Sequence, residues 1–248
     1  GMTSKILNNK ELAVFLKYTY TDKFEESDVE KLMPEELLSW VKPREIKFAP
    51  KSTFVDGEEI FQFTIKNFPL AVLNAWGYQM FNMDGTKVVM NLEPYEKRKA
   101  VKMLDRSLQE LASQSEQSYK ASSILDKKTH METLVDLLRM LQNDNETLFK
   151  VTLHFTVYNQ NGMGKETQKN LKKTIKRILA EDGFELADNF CKQSKALISN
   201  NVSRYDNMIE FSRAIHSGSV AAVFPFVVSS IMDDGGTIVG ASGKYPVI

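Results

Sequence analysis

The chain predicts an α+β fold: an open, mainly antiparallel sheet covered by helices. Three observations carry this. Residues 148–158 alternate strictly, with Phe149, Val151, Leu153, Phe155 and Val157 on one side and Lys150, Thr152, His154, Thr156 and Tyr158 on the other. Asp56-Gly57 separates two short strand-like runs, a tight-hairpin signal. Strand and helix patterns follow in the order β-β-α-β, two helices, β-α-β, which reads as two βαβ-like halves joined by a helical insertion with helices on one face.

Residues 1–43 form a helical first segment. Leu12, Phe15, Leu16 and Thr19 share one helical face, and Val29, Leu32, Leu37 and Leu38 repeat the pattern. Pro34 starts a fresh turn, and Lys42-Pro43 ends the helical region. The core segment is 44–200. Its first strand is 44–48. The hairpin arms are Thr53–Val55 and 58–66, with Phe61, Phe63 and Ile65 buried. Pro69 opens a helix over 70–81, built on Val72, Leu73, Trp76 and Met80, and Asp84-Gly85 turns into a strand at 86–92. Pro94 opens a long helical stretch. Val101, Leu104, Leu108 and Leu111 step by three and four, as do Met131, Leu134, Leu138 and Leu141; the polar middle predicts an antiparallel pair hinged near 121–126.

After the central strand, Asn161-Gly162 turns into a helix, Lys165–Glu181, with Leu171, Ile175, Ile178 and Leu179 inward and Gly183 as its cap. Residues 184–190 are the next strand, and Asn200-Asn201 reads as a linker. The last segment, 201–248, holds a helix at 205–215, an apolar run from Val220, and two strands, 237–241 and 245–248, about a turn at Ser242-Gly243-Lys244. A chain that stops on an apolar strand is expected to continue past Ile248.

Within this tail stand Phe224-Pro225-Phe226, Asp234-Gly235-Gly236, Gly240 and Pro246-Val247-Ile248. Their order resembles the link between the amino-terminal domain and the P-loop motor in the conjugation ATPases of type IV secretion systems. The likeness is strongest over 220–248 and extends, as an order of patterns, across 44–200. It implies a non-catalytic domain of a DNA-transfer ATPase, cytoplasmic and peripheral at the inner face of the bacterial membrane. Its implied partners are inner-membrane components of the channel, its own C-terminal ATPase domain and further copies of itself. ATP and Mg are implied for the motor, not for this segment, which holds none of the family's catalytic residues.

Composition agrees with a soluble domain: 42% of residues are apolar and 26% charged. The 32 basic and 32 acidic residues balance, so no global field draws the chain to nucleic acid, and direct nucleic-acid binding is not expected. The single Cys191 excludes an internal disulfide and a cysteine zinc cluster, and is expected to be buried and inert. No signal peptide is visible, and Gly1 before Met2 reads as a remnant of tag removal. The apolar run 220–232 is broken by Pro225 and falls short of the ~20 residues a spanning helix needs.

A phosphate loop needs G-x-x-x-x-G-K-[ST], so that backbone N–H groups wrap the phosphates. Gly162-Met-Gly164-Lys165-Glu-Thr167 and Gly240-Ala-Ser-Gly243-Lys244 have the ingredients without the spacing, and read as turns. His130, His154 and His216 lie in separate elements without metal-ligand spacing; His154, on the polar face of its strand, is expected to be solvated or hydrogen-bonded rather than a ligand. Asp233-Asp234 reads as turn chemistry. One charge pattern stands apart. Lys165, Lys169, Lys172 and Lys176, flanked by Lys173 and Arg177, form a basic stripe opposite the apolar side of their helix. It is a solvated face or a docking surface for an acidic partner, lipid head groups or nucleic acid, and no aromatic interleaves to stack bases. Two other readings are a free-standing adaptor without a motor and a small enzyme using Cys191 or His154.

Overall fold

The computed structural model of the chain describes residues 6–21, 24–69, 72, 74–83, 85–116, 121–143, 146–158, 165–203, 205–223, 240–242 and 245–247. Three short helices come first: α1 (Asn9–Tyr18), α2 (Ser27–Glu30) and α3 (Leu37–Val41). Asn8 caps α1. Its side chain accepts from the Glu11 N–H at 2.9 Å while the Glu11 carboxylate accepts from the Asn8 N–H at 2.9 Å. The three helices pack through Ala13, Val29, Leu37 and Val41. The buried side of α1 is rotated from the expected one. Thr19 and, in part, Leu16 are inward as expected and Ala13 joins them, whereas Leu12, Phe15 and, on α3, Leu38 are exposed. A small residue at the crossing lets the helices approach, and that contact selects the face.

The sheet strands are β1 (Ile46–Phe48), β2 (Thr53–Val55), β3 (Glu58–Asn67), β4 (Thr86–Pro94), β5 (Leu148–Val157), β6 (Glu185–Ala187) and β7 (Arg213–His216). Between them lie α4 (Tyr78–Phe81), α5 (Lys97–Glu116), α6 (Ala121–Asn143), α7 (Lys165–Glu181) and α8 (Gln193–Ser199), and α9 (Ser217–Ala221) follows β7. The β2–β3 hairpin forms as expected, with Asp56 at φ 50° and Gly57 at φ 85°, the left-handed pair a two-residue turn requires.

All seven strands pair antiparallel in an open sheet. β5 is central, with β4 along one side and β3 and β7 sharing the other; β6 and β2 pair with β3, and β1 with β2. β3 and β4 therefore run the same way with β5 between them, and β5 and β6 do so around β3. The two units β3-α4-β4 and β5-α7-β6 interleave in the split β-α-β order of ferredoxin-like folds, with the α5–α6 pair inserted between the halves. The expected helical pair is thus present, but residues 121–126, the expected hinge, are the first turns of α6; residues 117–120 lie outside the described residues.

Several elements differ from expectation. Among the described residues, the helix read over 70–81 shortens to α4; residues 74–77 form a turn before it, in which Ala75 takes φ 57°. Pro94 ends β4 rather than opening α5. The strand read at 184–190 shortens to β6. The helix read over 205–215 is a 3₁₀ turn, Ile209–Phe211, followed by β7. β3 covers β5 only at positions 154–157, so Leu148–Val151 still offer backbone groups, and β7 takes them. At the tail, β8 (Gly240–Ser242) and β9 (Tyr245–Val247) pair antiparallel as the expected hairpin. Residues 224–239, 243, 244 and 248 lie outside the described residues, and with them Phe224-Pro225-Phe226 and Asp233 to Gly236.

One sheet face carries the apolar core. Phe61, Phe63 and Ile65 of β3 and Leu153, Phe155 and Val157 of β5 pack under Ile175 and Leu179 of α7, Met80 of α4 and Phe184. Val151 is also fully buried, whereas Phe149, at the strand end, is half-buried. The other face, expected to be solvated, is covered as well. Gln62, Thr64, Thr152, His154 and Thr156 are all buried. α8 and the chain after it lie over them. The Gln62 amide donates to the Gln193 carbonyl at 3.1 Å and accepts from the Leu197 N–H at 3.1 Å. At one end of this face, the base of the α5–α6 pair packs Ala100, Leu104 and Leu141 on Leu148.

At the other end Lys87 of β4 fastens the first helical segment. Its Nζ donates to the Thr19 carbonyl at 2.7 Å and to Asn201 Oδ1 at 2.8 Å. Burial lowers the Lys87 ammonium from 10.5 to about 7. The folded state then releases a proton near neutrality that the unfolded chain keeps until the ordinary lysine range. Between these values the unfolded state binds more protons, so stability contributed by this group rises with pH. Melting temperatures across that window should rise more steeply for the native chain than for Lys87→Met; parallel curves would contradict the burial of this amine.

Candidate docking surface

α7 is amphipathic, and its apolar side is spent on the core. Gln168 anchors its first turns by donating to the Glu59 carbonyl at 2.7 Å. The expected basic stripe then divides. Lys172 and Lys176 both reach Asp188, at 3.3 and 2.6 Å, and retain side-chain exposures of 19% and 32%. Lys172 also sits over the rings of Phe61 and Phe63, at 5.0 and 5.1 Å, and Lys176 over Phe63 at 5.4 Å. These two are therefore packed side chains. Lys169, Lys173 and Arg177 are exposed, with no ion pair among the described residues. Lys165 opens the helix, and its side chain lies outside the described residues.

Asp188 follows β6, and burial alone would raise its carboxyl. Lys176 and Lys172 outweigh this and hold it below the ordinary carboxylate range. The next residues form a strained loop. Asn189 and Cys191 take φ 49° and 56°, in the left-handed region that costs non-glycine residues about 1–2 kcal/mol each. Hydrogen bonds hold them there, those of Asn189 buried. Asn189 Nδ2 donates to Thr64 Oγ1 at 3.1 Å and to the Gln62 carbonyl at 3.3 Å. The Cys191 N–H donates to the Pro50 carbonyl at 2.9 Å, and Gln193 Nε2 donates to the Asn189 carbonyl at 3.0 Å. Between the two strained residues, Phe190 is 62% exposed. Cys191 is exposed too, against the expectation of a buried thiol.

Of the two expected states, solvated or hydrogen-bonded, His154 takes the second, and it is fully buried. Its Nδ1 lies 3.0 Å from Thr64 Oγ1 and its Nε2 3.4 Å from Asp206 Oδ2. A hydrogen on Nε2 suits both partners: Asp206 accepts it, and Thr64, itself accepting from Asn189, donates to Nδ1. Thr152 also donates to Asp206, as does the Met208 N–H at 2.8 Å. Sequence reasoning missed Asp206, which lies in no helix or strand. The available signal was the run of Thr, His and Thr on the second face of β5, side chains small enough to bury when paired. Asn200, read as part of a linker, is fully buried beneath this cover.

At the sheet's exit, His216 Nε2 lies 2.8 Å from Ser219 Oγ, and Nδ1 lies 3.6 Å from Glu146 Oε2. Glu146 accepts from the Ser217 hydroxyl and from the Gly218 N–H, and these bonds hold its carboxyl below the ordinary range. Thr147 and Ser217 bond reciprocally, the Thr147 N–H to Ser217 Oγ at 2.9 Å and the Ser217 N–H to the Thr147 carbonyl at 2.8 Å. α9 is fastened at its far end as well. The Gly77 N–H donates to the Val223 carbonyl at 3.1 Å, and Trp76 Nε1 donates to the Ser219 carbonyl at 3.0 Å. A Cβ on Gly77 would stand 2.5 Å from Val223 Cγ1, so this approach requires glycine.

Of the two glycine stretches weighed as phosphate loops, 162–164 lies outside the described residues and 240–242 is β8. Among the described residues no group of three or more His, Cys, Asp or Glu side chains is placed to hold a metal ion, and no helix is long and apolar enough to cross a membrane. No family model matches the chain, and no curated protein matches it.

Proposed function

We propose that this chain is a non-catalytic docking and assembly domain of the kind that precedes the motor in conjugation ATPases of type IV secretion systems. The observation that carries the reading is the fastened exit from the sheet. The tail whose residues resemble the link to a motor leaves through β7 and α9, which are held at Glu146, Trp76 and Gly77. A domain that positions a following motor needs such a stiff exit, because a loose joint would uncouple the motor's orientation from the docked surface. In this reading the chain binds inner-membrane components of a channel, and ATP and Mg belong to the motor.

The tagged chain, incubated with detergent-solubilised membranes of a conjugative host, is expected to enrich inner-membrane channel components over a tag-only control. Mg-ATP titrated into the same preparation should give no saturable heat and no phosphate release. Absence of enrichment, or turnover of ATP by the chain itself, would overturn the proposal.

A further inference from the structure

We propose that Phe190 and the exposed cations of α7 form one site for an acidic peptide segment bearing an apolar side chain; this rests on the docking reading above and names the chemistry of the partner. Three observations converge. Phe190 is held outward by two left-handed residues, Asn189 fixed from beneath by its buried amide and Cys191 by its N–H bond to Pro50, so the ring is presented in an ordered position. An exposed aromatic on an ordered backbone is the type of side chain that anchors an interface. The Phe190 loop is joined to α7 through Asp188, two residues earlier, which Lys172 and Lys176 both grip. That acid is therefore already neutralised, and Lys169, Lys173 and Arg177 remain on the outer side of the same helix.

The geometry suits an extended segment. From Lys169 to Arg177 α7 rises roughly 12 Å, the length of about four residues of extended chain. Carboxylates along such a segment would meet the cations while one apolar side chain packs on the Phe190 ring. Nucleic acid fits less well, because one aromatic beside a row of cations provides no succession of stacking platforms.

The test uses the whole chain and a fluorescein-labelled peptide of glutamates around a central phenylalanine, read by fluorescence anisotropy. Binding is expected, weakening as salt screens the cations. Phe190→Ala and the triple change Lys169→Glu, Lys173→Glu, Arg177→Glu should each weaken it ~10-fold or more. Lys128→Glu, on exposed α6, should leave it unchanged. Melting temperatures of all variants should match the native chain, since these side chains are exposed. Equal affinity for a peptide with glutamine in place of glutamate would overturn the proposal, as would indifference to Phe190→Ala or tighter binding of an oligothymidylate. Capture of channel components that survives both site variants sinks this surface and leaves the docking reading. Peptide binding lost in both variants, without channel capture by the native chain, supports the surface and sinks that reading.

Discussion

Val151→Asp is expected to abolish cooperative folding. Val151 lies at the middle of the sheet with no exposed surface, paired with Leu92 of β4 on one side and Arg213 of β7 on the other. Its neighbours on that side of β5, Leu153 and Phe155, belong to the apolar core. Arg213, its register partner, is exposed, so a carboxylate kept in the core gains no buried counter-charge, and an uncompensated buried charge costs about 3–5 kcal/mol. That is comparable with the whole stability of a domain, about 5–15 kcal/mol. Phe155→Ala tests the same core without a charge. It should cost about 3–5 kcal/mol through lost burial and the cavity left behind. Circular dichroism melts would show Phe155→Ala with a lowered transition and Val151→Asp with little or none. A native-like transition for Val151→Asp would refute the central placement of β5.

Asp206→Ala should be the most damaging change on the second face. The carboxylate accepts from the His154 imidazole, the Thr152 hydroxyl and the Met208 N–H, and removing it strands buried donors. Each unsatisfied group costs about 1–3 kcal/mol, so a loss of about 3 kcal/mol or more is expected. Burial alone would raise the Asp206 carboxyl, but the bonds from His154, Thr152, Ser199 and Met208 together hold it far below the ordinary carboxylate range. Such a group contributes stability at any pH above its unfolded value, near 4, and loses it as pH falls toward the folded value. The difference in unfolding free energy between native chain and Asp206→Ala should therefore narrow on acidification below about pH 4. A difference independent of pH would mean that the carboxylate is not the acceptor of this network.

Much of the fold was legible because it repeats a local rule. β5 and β3 alternate with period two, α7 and the α5–α6 pair step by three and four, and Asp56-Gly57 needs the left-handed backbone that its hairpin shows. The proposed docking surface was half legible. Periodicity found the cations of α7, but not that Lys172 and Lys176 would be drawn onto Asp188, an acid brought alongside by β6. Nothing in the local pattern marks Phe190 as outward. Its exposure follows from strain at Asn189 and Cys191, which is sustained by bonds to Thr64 and Pro50, far away in sequence.

The sequence by itself determined the class of the domain, the central strand, the hairpin, the helical insertion and the buried apolar rows of β3, β5 and α7, because side-chain period and turn chemistry act over a few residues. Tertiary structure alone decided which side of α1 turns inward, that residues 213–216 become a strand, and that the polar side of β5 is buried. Each of these depends on a partner distant along the chain. β7 exists because β5 had unpaired backbone groups to offer, and His154 could leave water only because Thr64 and Asp206 arrived to take its hydrogen bonds. A buried polar group is stable when paired and costly when alone, and no local pattern records whether the pair will form.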